Sequence, residues 1–164
     1  MTSDEVNAGL RAGAHGSYQD EAAVELLIRH NTWLRRQDFL DQFVSGDLAG
    51  IGRAYVNWVR AVRQTVEWVM SPAERSVLVI AASLAGHPNP EAPQSAQWTP
   101  IPLAWTLANL DRRDIALILA AISHATGSHD HVEHLAANLP NGGTAITTTS
   151  PRITLGPLFD WPQE

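Results

Sequence analysis

Four histidines near the end of the chain could bind a metal ion. They are His124, His129, His131 and His134, and Asp130 and Glu133 lie between them. Neutral imidazoles beside carboxylates are common ligands of zinc and other divalent ions. A helix starting at Asp130 would put His131 and His134 on one face. However, the spacing matches no established metal motif, so the cluster also fits a solvated polar segment after a helix.

Three arginines surround a predicted turn between two short helices, which together span residues 20–46. They are Arg29, Arg35 and Arg36, and this arrangement fits a helix-turn-helix that binds DNA. Residues 29–75 carry seven arginines against five carboxylates, but the whole chain has a net charge of −6. Phosphate contacts dominate DNA affinity, so we do not expect nucleic acid to be the main partner.

The C-terminal tail carries apolar residues that a disordered end usually lacks. They are Leu155, Leu158, Phe159 and Trp161. Such anchors favour a tail that docks in a groove of its own domain, of a second copy or of another protein, and a disordered tail is the alternative.

The sequence contains none of the common signatures of catalysis, and we predict no catalytic residue. The absence of cysteine excludes disulfides, thiolate metal sites and thiol nucleophiles. The absence of lysine excludes Schiff-base chemistry. There is no Gly-x-Ser-x-Gly elbow, phosphate-binding loop or dinucleotide fingerprint. The chain therefore favours a role other than that of an enzyme.

The length of 164 residues, with 45% hydrophobic and 17% charged residues, predicts one domain with a sizeable core. Residues 1–18 do not resemble a secretory signal. The longest strictly apolar run, residues 115–122, is far shorter than the ~20 residues that cross a bilayer. We therefore expect a cytoplasmic protein with no membrane partner.

The spacing of apolar residues predicts the helices that must position these groups. The predicted helices are 20–30, 36–44, 53–70, 72–85, 103–109 and 112–125, with one or two further turns within 131–138. For the helix 53–70, the pattern leaves open a break between Gln64 and Met70. Helices 72–85 and 112–125 are apolar nearly all round, so we expect them to pair at the centre of the molecule.

These elements predict an all-α, compact single domain, a bundle of five to seven helices. The helical domain covers residues 19–137 and includes a proline-rich loop at 86–102. Residues 1–18, which are polar and rich in glycine, are predicted to form a flexible arm. Residues 138–164 are predicted to form an extended tail.

Three patches of the sequence resemble a known group of proteins. Ala23–Leu27 precedes His30 and Trp33, Glu74-Arg75 precedes Ala81–Gly86, and Leu110-Asp111 precedes His124-Ala125 and Gly127. Together they resemble small helical proteins of high-GC Gram-positive bacteria that have no assigned function. The resemblance covers roughly residues 23–127 and implies a bacterial helical domain, without implying an activity, a cofactor or a site.

The predicted function is a non-catalytic interaction or assembly module that acts through helix faces and the apolar tail. Its partner is predicted to be itself, in a homo-oligomer, or another protein. One alternative is a metal-binding protein, an enzyme or a regulator, that uses the four histidines and takes zinc or a similar ion as cofactor. The other is a small DNA-binding regulator that uses residues 20–46.

Overall fold

The computed structural model describes residues 2–47, 52–86, 102–138, 142–146 and 152–163. These residues are mostly helical, as predicted, and short strands are present in addition. The helices are α1 (Ser3–Ala14), α2 (Tyr18–His30), α3 (Gln37–Phe43), α4 (Trp58–Gln64), α5 (Pro72–Leu84), α6 (Leu103–Leu107) and α7 (Arg112–Ala125). Turns of 3-10 helix occur at Trp33–Arg35, Thr65–Glu67 and Ser128–Asp130.

The strands form antiparallel pairs. β1 (Val44–Asp47) pairs with β2 (Arg53–Val56), β3 (Val132–His134) pairs with β6 (Arg152–Thr154), and β4 (Ala137–Asn138) pairs with β5 (Thr144–Ala145). The pairs β3–β6 and β4–β5 are two or three residues long, which is too short to be stable without support from the rest of the fold.

Helix α2 is the centre of the molecule, because it packs against α1, α5 and α7. Ala22, Ala23, Leu26 and Leu27 on this helix are fully buried. Helices α5 and α7 contact each other, as expected. Helix α2 packs against both of them, so the centre of the fold is a group of three helices rather than a pair. The small alanines of α2 allow its neighbours to approach closely.

The prediction of a flexible arm at residues 1–18 is wrong, because this segment contains α1 and the first residue of α2. Thr2 and Glu5 form a capping box that starts α1. Val6 and Leu10 are buried in the core. A Cβ atom at Gly13 would lie 2.0 Å from the carbonyl oxygen of Ala54, so this glycine lets α1 lie directly on β2. It serves close packing rather than flexibility.

The prediction of a helix over residues 53–70 is wrong for its first part, whereas the break left open between Gln64 and Met70 is present, because α4 ends at Gln64. The segment begins as β2, continues as α4 and ends in a 3-10 turn. Ala54 and Val56 are buried while Arg53 and Tyr55 are exposed, which is the alternation of a strand. Contact with α1 and pairing with β1 stabilise this conformation.

The predictions for α5 and α7 are confirmed within a residue or two. Ser71 and Glu74 form a capping box that starts α5, and the side chain of Asp111 caps α7. The prediction of helical turns within 131–138 is wrong, because β3 and β4 lie there.

Of the predicted proline-rich loop, residues 87–101 lie outside the described residues. Among the helices that are described, none has the length and apolarity needed to cross a membrane.

Candidate interaction surface

The tail segment, residues 152–163, lies against the end of α7. Its first part is β6, which pairs with β3, and the Leu155 N–H donates to the His131 carbonyl at 2.8 Å. Its later part crosses α7 and reaches the C-terminal half of α2. The tail thus docks on its own domain, which is one of the locations that the sequence predicted.

Two buried serines hold the main chain of the tail. The Phe159 N–H donates to Ser123 Oγ at 3.0 Å, and the Leu158 N–H donates to Ser128 Oγ at 3.4 Å. Ser128 donates its own proton to the Ser123 carbonyl at 2.7 Å, so Ser123 is the donor in the 2.8 Å contact between the two hydroxyls. Both hydroxyls thus have hydrogen bonds that do not involve the tail, and the two tail N–H groups occupy acceptor positions that remain on their oxygens.

The side chain of Trp161 anchors the end of the tail. The Arg29 guanidinium lies 5.1 Å from the centre of the indole, and its Nη1 donates to the Pro162 carbonyl at 3.3 Å. The centre of the His124 ring lies 6.3 Å from that of the Trp161 ring. Arg29 is itself fixed by Glu25, whose Oε1 accepts from Nε at 2.7 Å.

Glu25 links α1, α2 and the tail through two guanidinium groups. Arg11 of α1 donates to it through Nε at 2.9 Å and Nη2 at 3.1 Å, and Arg29 donates from one turn further along α2. Burial acts to raise the pKa of Glu25, but the hydrogen bonds and charges of Arg11 and Arg29 outweigh burial and lower this pKa below its ordinary value. The carboxylate is therefore ionised at neutral pH.

Five exposed apolar side chains lie along α7 and the adjoining tail, and we call them the apolar face. They are Ile115, Leu119 and Ile122, which are 40%, 39% and 45% exposed, and Leu158 and Phe159, which are 76% and 53% exposed. The spacing of four and three residues places the first three on one stripe of α7. The hydrogen bond from the Phe159 N–H to Ser123 Oγ places the other two beside the C-terminal end of the same helix.

The sequence predicted part of this surface. Of the four tail residues expected to bind a partner, Leu155, Leu158 and Phe159 expose their side chains, whereas Trp161 is half-buried on its own domain. The stripe on α7 was missed, because a helix that is apolar all round was expected to be covered all round. Ser123 and Ser128 were also missed, since two serines at this spacing give no signal of a binding role.

The histidine cluster divides into two parts. His124 and His129 stack with their ring centres 4.3 Å apart, and the Tyr18 ring meets both edge-on. Tyr18 donates to Asp130 at 2.5 Å, and this hydrogen bond raises the pKa of Tyr18. His124 Nε2 lies 3.1 Å from Glu21 Oε2. These contacts join the start of α2 to the end of α7.

The other two histidines do not join this cluster into a metal site. His131 precedes β3 and is exposed, and His134 ends that strand. The helical spacing that would have aligned them is therefore absent. No group of three His, Asp or Glu side chains suited to a metal ion occurs in the described part of the chain. A zinc site at His124, His129, His131 and His134 stays a prediction without support from this geometry.

A cavity of about 350 Å³ lies between α1, α2, α7 and the tail. Its lining residues are Arg11, His15, Glu21, Val24, Glu25, His124 and Trp161. Burial acts to raise the pKa of Glu21, but the Gly16 N–H at 2.9 Å and the contact with His124 lower it overall. The lining provides paired charges and an aromatic wall, and it contains no hydroxyl or thiol nucleophile.

The three arginines of the predicted DNA-binding site face different surroundings. Arg29 is held by Glu25 and Trp161, as described above. Arg36 forms an ion pair with Asp38 at 2.9 Å, and its guanidinium lies 4.7 Å from the Trp68 ring. Arg35 is exposed. Two of the three guanidinium groups thus serve contacts within the domain, and DNA binding stays an untested prediction.

His30 is expected to make folding stability sensitive to mild acid. It is buried 3.7 Å from Asp114, and burial lowers its pKa below the ordinary 6.5. His30 therefore binds a proton more readily in the unfolded chain than in the folded protein. The free energy of unfolding falls as the pH drops below about 6.5, by up to about 1.4 kcal/mol per pH unit. Urea denaturation between pH 5 and 8 measures this slope. His30→Gln should flatten this slope, and an unchanged slope in His30→Gln would contradict the assignment.

Comparison with known proteins gives no relative for this chain. No family model, curated protein or solved structure matches it. The resemblance to small helical proteins of high-GC Gram-positive bacteria stays a prediction. A function has therefore to be inferred from the contacts, burial and charges described above.

Proposed function

We propose that this protein is a non-catalytic assembly module, in which two copies pair through the apolar face. The observation that carries the proposal is the exposure of Ile115, Leu119, Ile122, Leu158 and Phe159 along one helix and its adjoining tail. Single exposed apolar residues are normal on protein surfaces. A contiguous group rimmed by polar residues is typical of an interaction site.

The charges at the two ends of the face favour a second copy as the partner. Arg112 lies at the N-terminal end of α7, and Asp160 follows Phe159 at the opposite end. Both are exposed, and neither has an ion pair or hydrogen bond with another described residue. In an antiparallel pair of α7 helices, Arg112 of each copy approaches Asp160 of the other. In this orientation the dipoles of the two α7 helices are antiparallel, which is also favourable.

The proposed pair has a two-fold axis that passes close to Leu119. A two-fold interface is self-complementary, so Leu119 meets Leu119 of the second copy, and Ile115 meets Ile122. Leu158 and Phe159 then cover the N-terminal half of the opposite α7. The side chains of the stripe interdigitate in the way that packed helices require, with axes about 8–10 Å apart.

Sedimentation velocity on the unmodified protein tests this proposal. We expect a dimer with a dissociation constant in the micromolar range, because the face is small compared with a permanent interface. Dilution from about 100 µM to about 1 µM should therefore shift the protein from dimer to monomer. A monomer at every concentration in this range would contradict the proposal.

A further inference from the structure

Leu158 and Phe159 belong to the apolar face, but groups outside the face determine where they lie. Their side chains are mostly exposed and provide little burial of their own. Their main-chain N–H groups are held by the hydroxyls of Ser128 and Ser123. The position of two fifths of the apolar face thus depends on whether the tail segment stays docked.

Trp161 is the side chain that keeps this part of the tail docked. It follows Leu158 by three residues and packs against the hydrophobic core. Its ring lies under the Arg29 guanidinium, and the same guanidinium binds the carbonyl of Pro162. Leu158, Phe159 and Asp160 are exposed, so the anchor of this stretch is concentrated at its end.

We propose that the tail segment is a latch that controls assembly, with Trp161 as its positioning residue. When the latch is closed, Leu158, Phe159 and Asp160 complete the surface that a second copy recognises. When it opens, only the α7 stripe remains, and Arg112 of the second copy loses its opposite charge. This inference rests on the proposed pairing through the apolar face.

The latch and the pairing must influence each other equally. If closing the latch strengthens pairing by a given factor, pairing stabilises the closed latch by the same factor. The main-chain N–H groups of Leu158 and Phe159 report the latch directly, because they bond to serine hydroxyls only in the closed state. Their hydrogen exchange should therefore slow as the protein concentration rises through the dissociation constant.

The experiment combines sedimentation with hydrogen exchange on full-length variants. We expect Trp161→Ala to raise the dimer dissociation constant about 10- to 100-fold and to speed exchange at Phe159 by a similar factor. The matched control is Trp105→Ala, which removes a 79% exposed tryptophan from α6 and should change neither quantity. Thermal unfolding checks that both variants keep the fold.

The possible results separate the latch from the pairing itself. If Trp161→Ala frees the Phe159 amide but pairs as tightly as the unmodified protein, the latch is overturned and the pairing stands. If exchange at Phe159 in the unmodified protein is independent of concentration while the dimer forms, the latch is likewise overturned, without reference to any variant. If no dimer forms, the proposed pairing is overturned, and the latch that rests on it is overturned with it.

Discussion

Replacing Leu10 with alanine is expected to lower the free energy of unfolding by about 2–5 kcal/mol. Leu10 of α1 is only 1% exposed, so the substitution leaves a cavity in the core that its neighbours fill incompletely. Urea denaturation followed by circular dichroism measures the change. A loss of this size requires α1 to belong to the cooperative unit, because an arm that is already disordered contributes nothing to the transition.

Leu103→Ala is the matched control for this experiment. Leu103 lies on α6 and is 61% exposed, so removing the same atoms should change stability by less than about 0.5 kcal/mol. If Leu10→Ala were as mild as Leu103→Ala, α1 would not be docked, and the first helix would contribute nothing to the core.

The start of α1 could have been predicted from the sequence, but the role of its glycines could not. Thr2 and Glu5 have the spacing of a capping box, and Val6, Leu10 and Ala14 recur every four residues. Gly13 argued against a helix, because glycine weakens helices in isolation. Its place becomes clear only when Ala54, forty-one residues later, is found against its Cα.

Local sequence signals were sufficient to predict the bounds of a helix where that helix is long, capped and periodic. Helices α5 and α7 have both a capping side chain and an apolar repeat, so their ends follow from neighbouring residues. The segments at residues 53–56 and 132–134 depend instead on partners elsewhere in the chain, namely β1 and β6. A helical repeat in the sequence is then overridden by strand pairing, which no local pattern records.

The apolar face, like the fold, could be predicted from the sequence only in part. Leu158 and Phe159 were recognised because large apolar residues near a chain end need a partner. The α7 stripe was not, since the sequence of α7 shows how apolar the helix is but not how many neighbours surround it. The number of neighbours follows from the central position of α2, which leaves α7 at the outside of the group.

Leu119→Glu is expected to abolish pairing, raising the dimer dissociation constant at least about 100-fold. Leu119 lies nearest to the proposed two-fold axis, so the substitution places two glutamates opposite each other in an apolar contact. Like charges so placed cost several kcal/mol, and about 2.7 kcal/mol is enough for a 100-fold change. Sedimentation velocity measures the loss. Val59→Glu is the matched control, because Val59 on α4 has a similar exposure of 37% and lies off the apolar face.

A mixture of two variants tests the two-fold axis itself. Leu119→Glu and Leu119→Arg should each be monomeric alone, because each places like charges across the axis. Mixed in equal amounts they should form a heterodimer, since the axis then brings a carboxylate to a guanidinium. Only an interface in which residue 119 meets its own copy gives this rescue. Failure to restore pairing in the mixture would exclude the antiparallel arrangement, and pairing by Leu119→Glu alone would exclude the apolar face as the interface.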